Sequence, residues 1–155
     1  MKISCLKADL LAGLNIAMRA VPSKTTLPIL ESFLIIACEK IRIITNDKDM
    51  GIETQVTGDV QDKGKIAVDA KIFGDIVRKL PESIINIESD SSLKIKVTCE
   101  ESEFYLNGKN PDEFPELPVT NNENKVSISQ FTLKEIIRQT IFSISSYESN
   151  SIMKG

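Results

Sequence analysis

Lys71 and Arg78 stand seven residues apart and Lys134 and Arg138 four, and each spacing puts the two cations on one face of a helix. Cations arranged this way can hold phosphate oxygens without reading bases, giving a sequence-independent, salt-sensitive attachment that permits sliding. Lys24, in the loop after the first helical segment, is a third candidate. No aromatic ladder or base-reading motif interleaves with these residues. Ordinary solvated helix faces would carry the same charges, so the pattern needs support from elsewhere in the chain.

Other chemistries are poorly served. Histidine is absent, which removes the usual general base and the commonest zinc ligand. Glu101 and Glu103 would share a face of a strand-like run, and paired carboxylates can do acid–base work, but no pocket signature lies beside them. Asp47, Asp49 and Glu53 could suggest a hard-metal site. Their spacing does not match the twelve-residue calcium loop, and a hairpin turn accounts for the first two. There is no phosphate-binding glycine loop and no nucleophile elbow. Neither a metal nor another cofactor is expected, and no catalytic residue is assigned. Cys5, Cys38 and Cys99 are widely spaced, each in or beside an apolar strand-like stretch, and are expected to be buried structural thiols.

These residues must be positioned by a small α+β fold. The chain has 155 residues, 41% hydrophobic and 26% charged, the balance of a globular protein. No apolar run reaches the ~18 residues of a membrane span, and the N-terminus does not read as a signal peptide, so a cytoplasmic protein is expected. Apolar residues at helical spacing predict three helices. The first has Leu10, Leu11, Leu14, Ala17, Met18 and Val21 on its stripe; the second has Ile72, Phe73, Ile76, Val77 and Leu80. Asp69 is the expected N-cap of the second, and Pro81 ends it. The third has Leu133, Ile136, Ile137, Ile141 and Ile144, with Thr132 and Glu135 at capping-box spacing. Besides an opening strand, strand-like runs occupy 32–37, 40–45, 52–57, 64–69, 84–89, 93–98 and 103–107. The order predicts a duplicated unit of one helix to four strands, with two helices packed on one side of antiparallel sheets.

The tract 107–125 is rich in Pro, Asn and acids and reads as a linker. Residues 1–119 are taken as a first domain, 120–125 as the linker and 126–155 as a truncated start of a second domain, because the strand-then-helix opening recurs there. Asp9-Leu10-Leu11 matches Glu135-Ile136-Ile137 at an offset of 126 residues. The net charge of −3 conceals a segregation: 7–24 carries +2, the second helix +2 and the third +1, leaving the other residues strongly acidic. Phe104, Tyr105 and Leu106 form a mostly apolar run that could pack in the core or pair at a sheet edge with another chain.

Along its whole length the chain resembles the beta subunit of bacterial DNA polymerase III, the sliding-clamp family. The resemblance rests on Thr26-Leu27-Pro28-Ile29-Leu30, on Asp75-Ile76-Val77-Arg78-Lys79-Leu80-Pro81 and on Asp112-Glu113-Phe114-Pro115-Glu116-Leu117, in this order and at these distances. It implies the DNA-clamp fold, a ring of two subunits around duplex DNA, and a non-catalytic processivity factor that tethers DNA polymerase III and is handled by a clamp loader. It further implies DNA contacts at Lys24, Lys71, Arg78, Lys134 and Arg138, with Tyr147 where relatives often have a polar DNA-contacting residue. Phe104 and Leu106 match the apolar pair on the strand that joins the next subunit. Glu101 and Glu103 replace arginines of some relatives there, so a basic partner surface is expected. Because the family's chain is longer, a truncated piece unable to close a ring is expected. A small carboxylate-dependent enzyme or a protein–protein adaptor of mixed α+β fold are the competing readings. The first would need a closed pocket holding Glu or Asp with Lys; the clamp reading needs Lys24, Lys71, Arg78 and Arg138 on one concave face.

Overall fold

The structure is a computed structural model that describes residues 1–117 and 126–144. The chain divides into two compact units, Met1–Leu117 and Pro118–Gly155.

In the first unit nine strands form two antiparallel sheets. The element order is β1 (Lys2–Leu6), α1 (Lys7–Ala17), β2 (Ser32–Ala37), β3 (Ile41–Asn46), β4 (Gly51–Val56), β5 (Gly58–Asp62), β6 (Gly64–Asp69), α2 (Ala70–Lys79), β7 (Ile84–Ser89), β8 (Lys94–Cys99) and β9 (Ser102–Asn107). One sheet runs β5-β1-β7-β8-β9 and the other β4-β3-β2-β6. Strand alternation places Ile3 and Cys5 of β1, Ile85 and Ile87 of β7, and Ile95 and Val97 of β8 on an inner face, with Lys2, Glu88 and Lys96 outward. In the second sheet Phe33, Ile35, Ile41, Ile43, Ile66 and Val68 do the same.

Both helices bury their apolar sides in this one core. Leu10, Leu14 and Ala17 of α1 and Phe73 and Val77 of α2 join the same cluster as the inner strand residues. The Phe33 and Phe73 rings meet edge to face with centroids 6.5 Å apart. Gly13 lets α1 come down on β4: a Cβ there would lie 2.7 Å from Val56 Cγ2. The α1 helix stops at Ala17 and tightens into a 3-10 turn, Met18–Ala20. The buried Thr45 hydroxyl donates to the Ala17 carbonyl at 2.8 Å, satisfying a helix-end acceptor. Asp69 caps α2 as expected, accepting from the Ile72 N–H at 2.8 Å.

Several expectations are corrected. The symmetrical one-helix, four-strand count misses β5, a polar strand (GDVQD) at a sheet edge that pairs with β1. Its lack of alternating apolar residues removed the periodic signal, because it buries little on either face. Ile72, assigned to the apolar stripe of α2, is 53% exposed. Cys38 is exposed beyond the end of β2, whereas Cys5 and Cys99 are buried. Burial pushes the Cys5 thiol up to about 12 and raises that of Cys99.

The second unit contains α3 (Gln130–Thr140), followed by a 3-10 turn, Ile141–Ser143. Its N-cap is Ser129, whose hydroxyl accepts from the Thr132 N–H at 3.0 Å, so the expected start at Thr132 lies one turn too late.

Candidate nucleic-acid interface

The helical layer is positioned by one buried cation. Lys7, counted with the basic surface in the charge pattern, is buried: its ammonium donates to the Leu80 carbonyl at 2.6 Å and lies 2.8 Å from a Glu82 carboxylate oxygen. The first residue of α1 is thereby tied to the C-cap of α2, an acceptor that would otherwise lack an intrahelical partner. No periodicity distinguishes this lysine from an exposed one. Gly74 completes the approach of the helices, since a Cβ on it would lie 3.3 Å from Met18 Cε.

On α2, Lys71, Asp75 and Arg78 are all exposed, opposite buried Phe73 and Val77. Lys71 and Arg78 are seven residues apart, roughly 10 Å along the axis. Lys24 is exposed on the loop that follows the 3-10 turn. That loop and α2 form the two sides of an open depression of about 570 Å³, in which Met18, Val21, Pro22 and Ser23 face Asp69, Lys71 and Ile72. Lys71 therefore lines the depression with Ser23, the chain neighbour of Lys24. Glu31 also lines it, so the depression is of mixed sign. Arg19 and Lys79 are further exposed cations on the same elements. Lys109, which sequence reasoning did not single out, donates to the Pro28 carbonyl and the Ser32 hydroxyl, both at 3.0 Å, and so anchors the far end of the Lys24 loop.

Arg78 and Arg138 are engaged, whereas Arg19 has no ion pair among the described residues. Arg78 donates to Asp75 at 2.7 Å. In the second unit Arg138 donates to Glu135 at 2.9 Å, and Lys134 is exposed on the same helix. Among the described residues, no carboxylate lies within ion-pair distance of Lys24, Lys71 or Lys134. Arg138 and Lys134 belong to the second unit and stand by themselves; Tyr147 lies outside the described residues.

The β9 strand is one edge of its sheet, opposite the β5 edge, and no further strand pairs with it among the described residues. Phe104 is 38% exposed, whereas Leu106 is half-buried against the core. Glu101 is in the β8–β9 turn rather than on the strand, so it does not share a strand face with Glu103. Glu103 pairs with Lys96 at 2.9 Å and accepts from the Tyr105 hydroxyl, which holds its carboxyl below the usual carboxylate range, the hydroxyl contributing first. The neighbouring Glu103 carboxylate in turn raises the Lys96 ammonium.

Two of the three acids at β3–β4 have other partners. Asp47 accepts from the Asp49 and Met50 N–H groups, and Glu53 pairs with Arg42 at 3.3 Å. No group of metal-ligating side chains occurs among the described residues, and no helix among them is long and apolar enough to cross a membrane.

Residues 1–118 match the family described as DNA polymerase III beta subunit, N-terminal domain. The beta sliding clamp of Halalkalibacterium halodurans is 38% identical over 152 residues, a match covering 92% of this chain and 40% of that protein. The beta sliding clamp of Bacillus subtilis is 32% identical over the whole chain and 43% of its own length. Among solved structures, the fold is similar to a putative DNA polymerase III beta subunit from Eubacterium rectale, at TM-score 0.93 and 47% identity, covering 99% of this chain and 42% of that one. The Bacillus subtilis sliding clamp follows at TM-score 0.92 and 31% identity, covering 98% and 42%. The chain thus spans about two fifths of the length of the curated relatives it matches.

Proposed function

The chain belongs to the DNA polymerase III beta-subunit family, and from that premise we propose that it contributes the DNA-facing helical layer of a sliding clamp. In this reading it is a non-catalytic processivity factor of bacterial DNA replication, working in the cytoplasm. It meets duplex DNA without sequence preference, and with the remainder of a clamp it would encircle the duplex and tether DNA polymerase III subunits after loading by a clamp loader. The first domain is read as residues 1–119, followed by a linker, 120–125, and the start of a second domain from 126.

The observation that carries the reading is the convergence of the Lys24 loop with Lys71 across one depression, on the exposed side of a helix pair whose other side is core. Lysines on such a surface meet phosphates as point charges and impose no register, which suits movement along DNA. Lys134 and Arg138 would extend the contact from the second unit, and Tyr147 would add a polar contact. The exposed β9 edge, with Phe104 and Leu106, would meet a second subunit by strand addition. Since Lys96 already balances Glu103, Glu101 is the acid left to a basic partner surface. The enzyme reading is weaker, because two of the three acids lining the open depression against β2, β3 and β6 are paired, Glu53 with Arg42 and Asp112 with Lys65, which leaves Glu116 as the third.

Fluorescence anisotropy of a labelled duplex, titrated with the full chain at low salt, tests the proposal. Feeble, salt-sensitive binding is expected, weakened further by Lys24→Glu with Lys71→Glu. Tight or salt-insensitive binding, or binding indifferent to those changes, would put the surface elsewhere.

A further inference from the structure

The cations singled out on α2, α3 and the Lys24 loop fall into two classes; Arg19, on the 3-10 turn after α1, is a further exposed arginine with no ion pair among the described residues. Lys24, Lys71 and Lys134 have no carboxylate partner among the described residues, whereas Arg78 and Arg138 each donate to an acid three residues earlier, Asp75 at 2.7 Å and Glu135 at 2.9 Å. The same device occurs on two helices in two separate units. On α2 the acid stands between the two cations, four residues after Lys71 and three before Arg78, on the exposed face. A free guanidinium is the stronger and more directional phosphate ligand, because its planar fork can hold two oxygens at once. A clamp that slides would be hindered by such a fork gripping each phosphate in turn.

We propose that Asp75 and Glu135 are attenuators of the DNA grip: each holds its neighbouring arginine in a side-chain ion pair, leaving the lysines to make the mobile phosphate contacts. The inference rests on the DNA-facing reading above. A phosphate reaching Arg78 must displace the Asp75 carboxylate or share the guanidinium with it. An exposed pair of this kind is weak, so the arginine is restrained rather than locked, and releasing it should tighten binding about two- to fivefold per site.

The test is a double-mutant cycle on the full chain, with duplex affinity read by anisotropy over a range of low salt concentrations. Asp75→Asn should bind about two- to fivefold tighter than the parent, and its plot of log affinity against log salt should steepen by up to about one. In an Arg78→Gln background the same Asp75→Asn change should lose most of that gain, because there is no guanidinium to release. Equal gains in both backgrounds would mean that removing any negative charge suffices, and would overturn the proposal. So would the absence of a gain. Glu135→Gln with and without Arg138→Gln repeats the test on α3. Lys71→Glu separates the two readings: if it leaves duplex binding unchanged, the DNA-facing surface itself is wrong, whatever the cycle gives.

Discussion

Replacing Lys7 by methionine removes the tie between α1 and α2 while keeping most of the side-chain stem. The Nζ donates to Leu80 O at 2.6 Å and meets Glu82 at 2.8 Å, with only 8% of the lysine side chain exposed. A hydrogen bond from a charged donor contributes about 1.5–3 kcal/mol. The ion pair adds about 0–1 kcal/mol, since the Glu82 side chain is 73% exposed and solvent screens it. Methionine recovers part of this by sparing the desolvation of an ammonium, but it leaves the Leu80 carbonyl without its donor. The net expected loss is about 2 kcal/mol, with a fall in melting temperature of roughly 5–10 °C for a unit of this size. Urea titration is the assay, and the slope should stay unchanged because the surface exposed on unfolding is the same. Glu82→Gln should cost no more than about 1 kcal/mol. The reasoning is refuted if Lys7→Met falls within about 0.5 kcal/mol of the parent, or if Glu82→Gln costs as much as Lys7→Met, which would place the effect in the ion pair and not in the helix tie.

Two further outcomes follow from the same geometry. Asp69→Ala removes the side-chain acceptor of the Ile72 N–H and should cost about 1 kcal/mol, whereas Asp69→Asn should cost little, as read by urea titration. A thiol reagent should label Cys38 rapidly and reach Cys5 and Cys99 only on unfolding. Burial raises the Cys5 thiol from 9.0 to about 12, so the fold favours its protonated form. Its contribution is fully present below about pH 9 and is lost as pH rises toward 12. A Cys5→Ala chain should lose less stability across that window in alkaline denaturation.

How far the fold could be read ahead depended on how each element buries its side chains. The helix α2 and the strands β2, β3, β7 and β8 each bury one face or both, and their apolar pattern was visible. Asp69 was legible as a cap because its acceptor acts locally, on an N–H three residues on. Conversely, β5 was invisible because it is held mainly by backbone pairing to β1, which leaves no imprint on residue type. The burial of Lys7 is set by partners distant in sequence, Leu80 with Glu82, and Ile72 is left exposed on the wall of an open depression. Neither follows from periodicity. The candidate basic residues were legible as types on helix faces. That Asp75 and Glu135 engage Arg78 and Arg138 was implicit in the spacing of three, but only side-chain geometry separates those pairs from the lysines that have no carboxylate partner among the described residues.

The central claim is that the exposed side of the α1–α2 layer meets duplex DNA. Its most direct test is an amide chemical-shift titration of the labelled chain with a short duplex at low salt. The account predicts that perturbations concentrate on the loop around Lys24 and on α2 from Lys71 to Arg78, fade as salt is raised, and spare the outward residues Lys2, Glu88 and Lys96 of the first sheet. Perturbations centred on that outer sheet face, or scattered without regard to the helical layer, would contradict it.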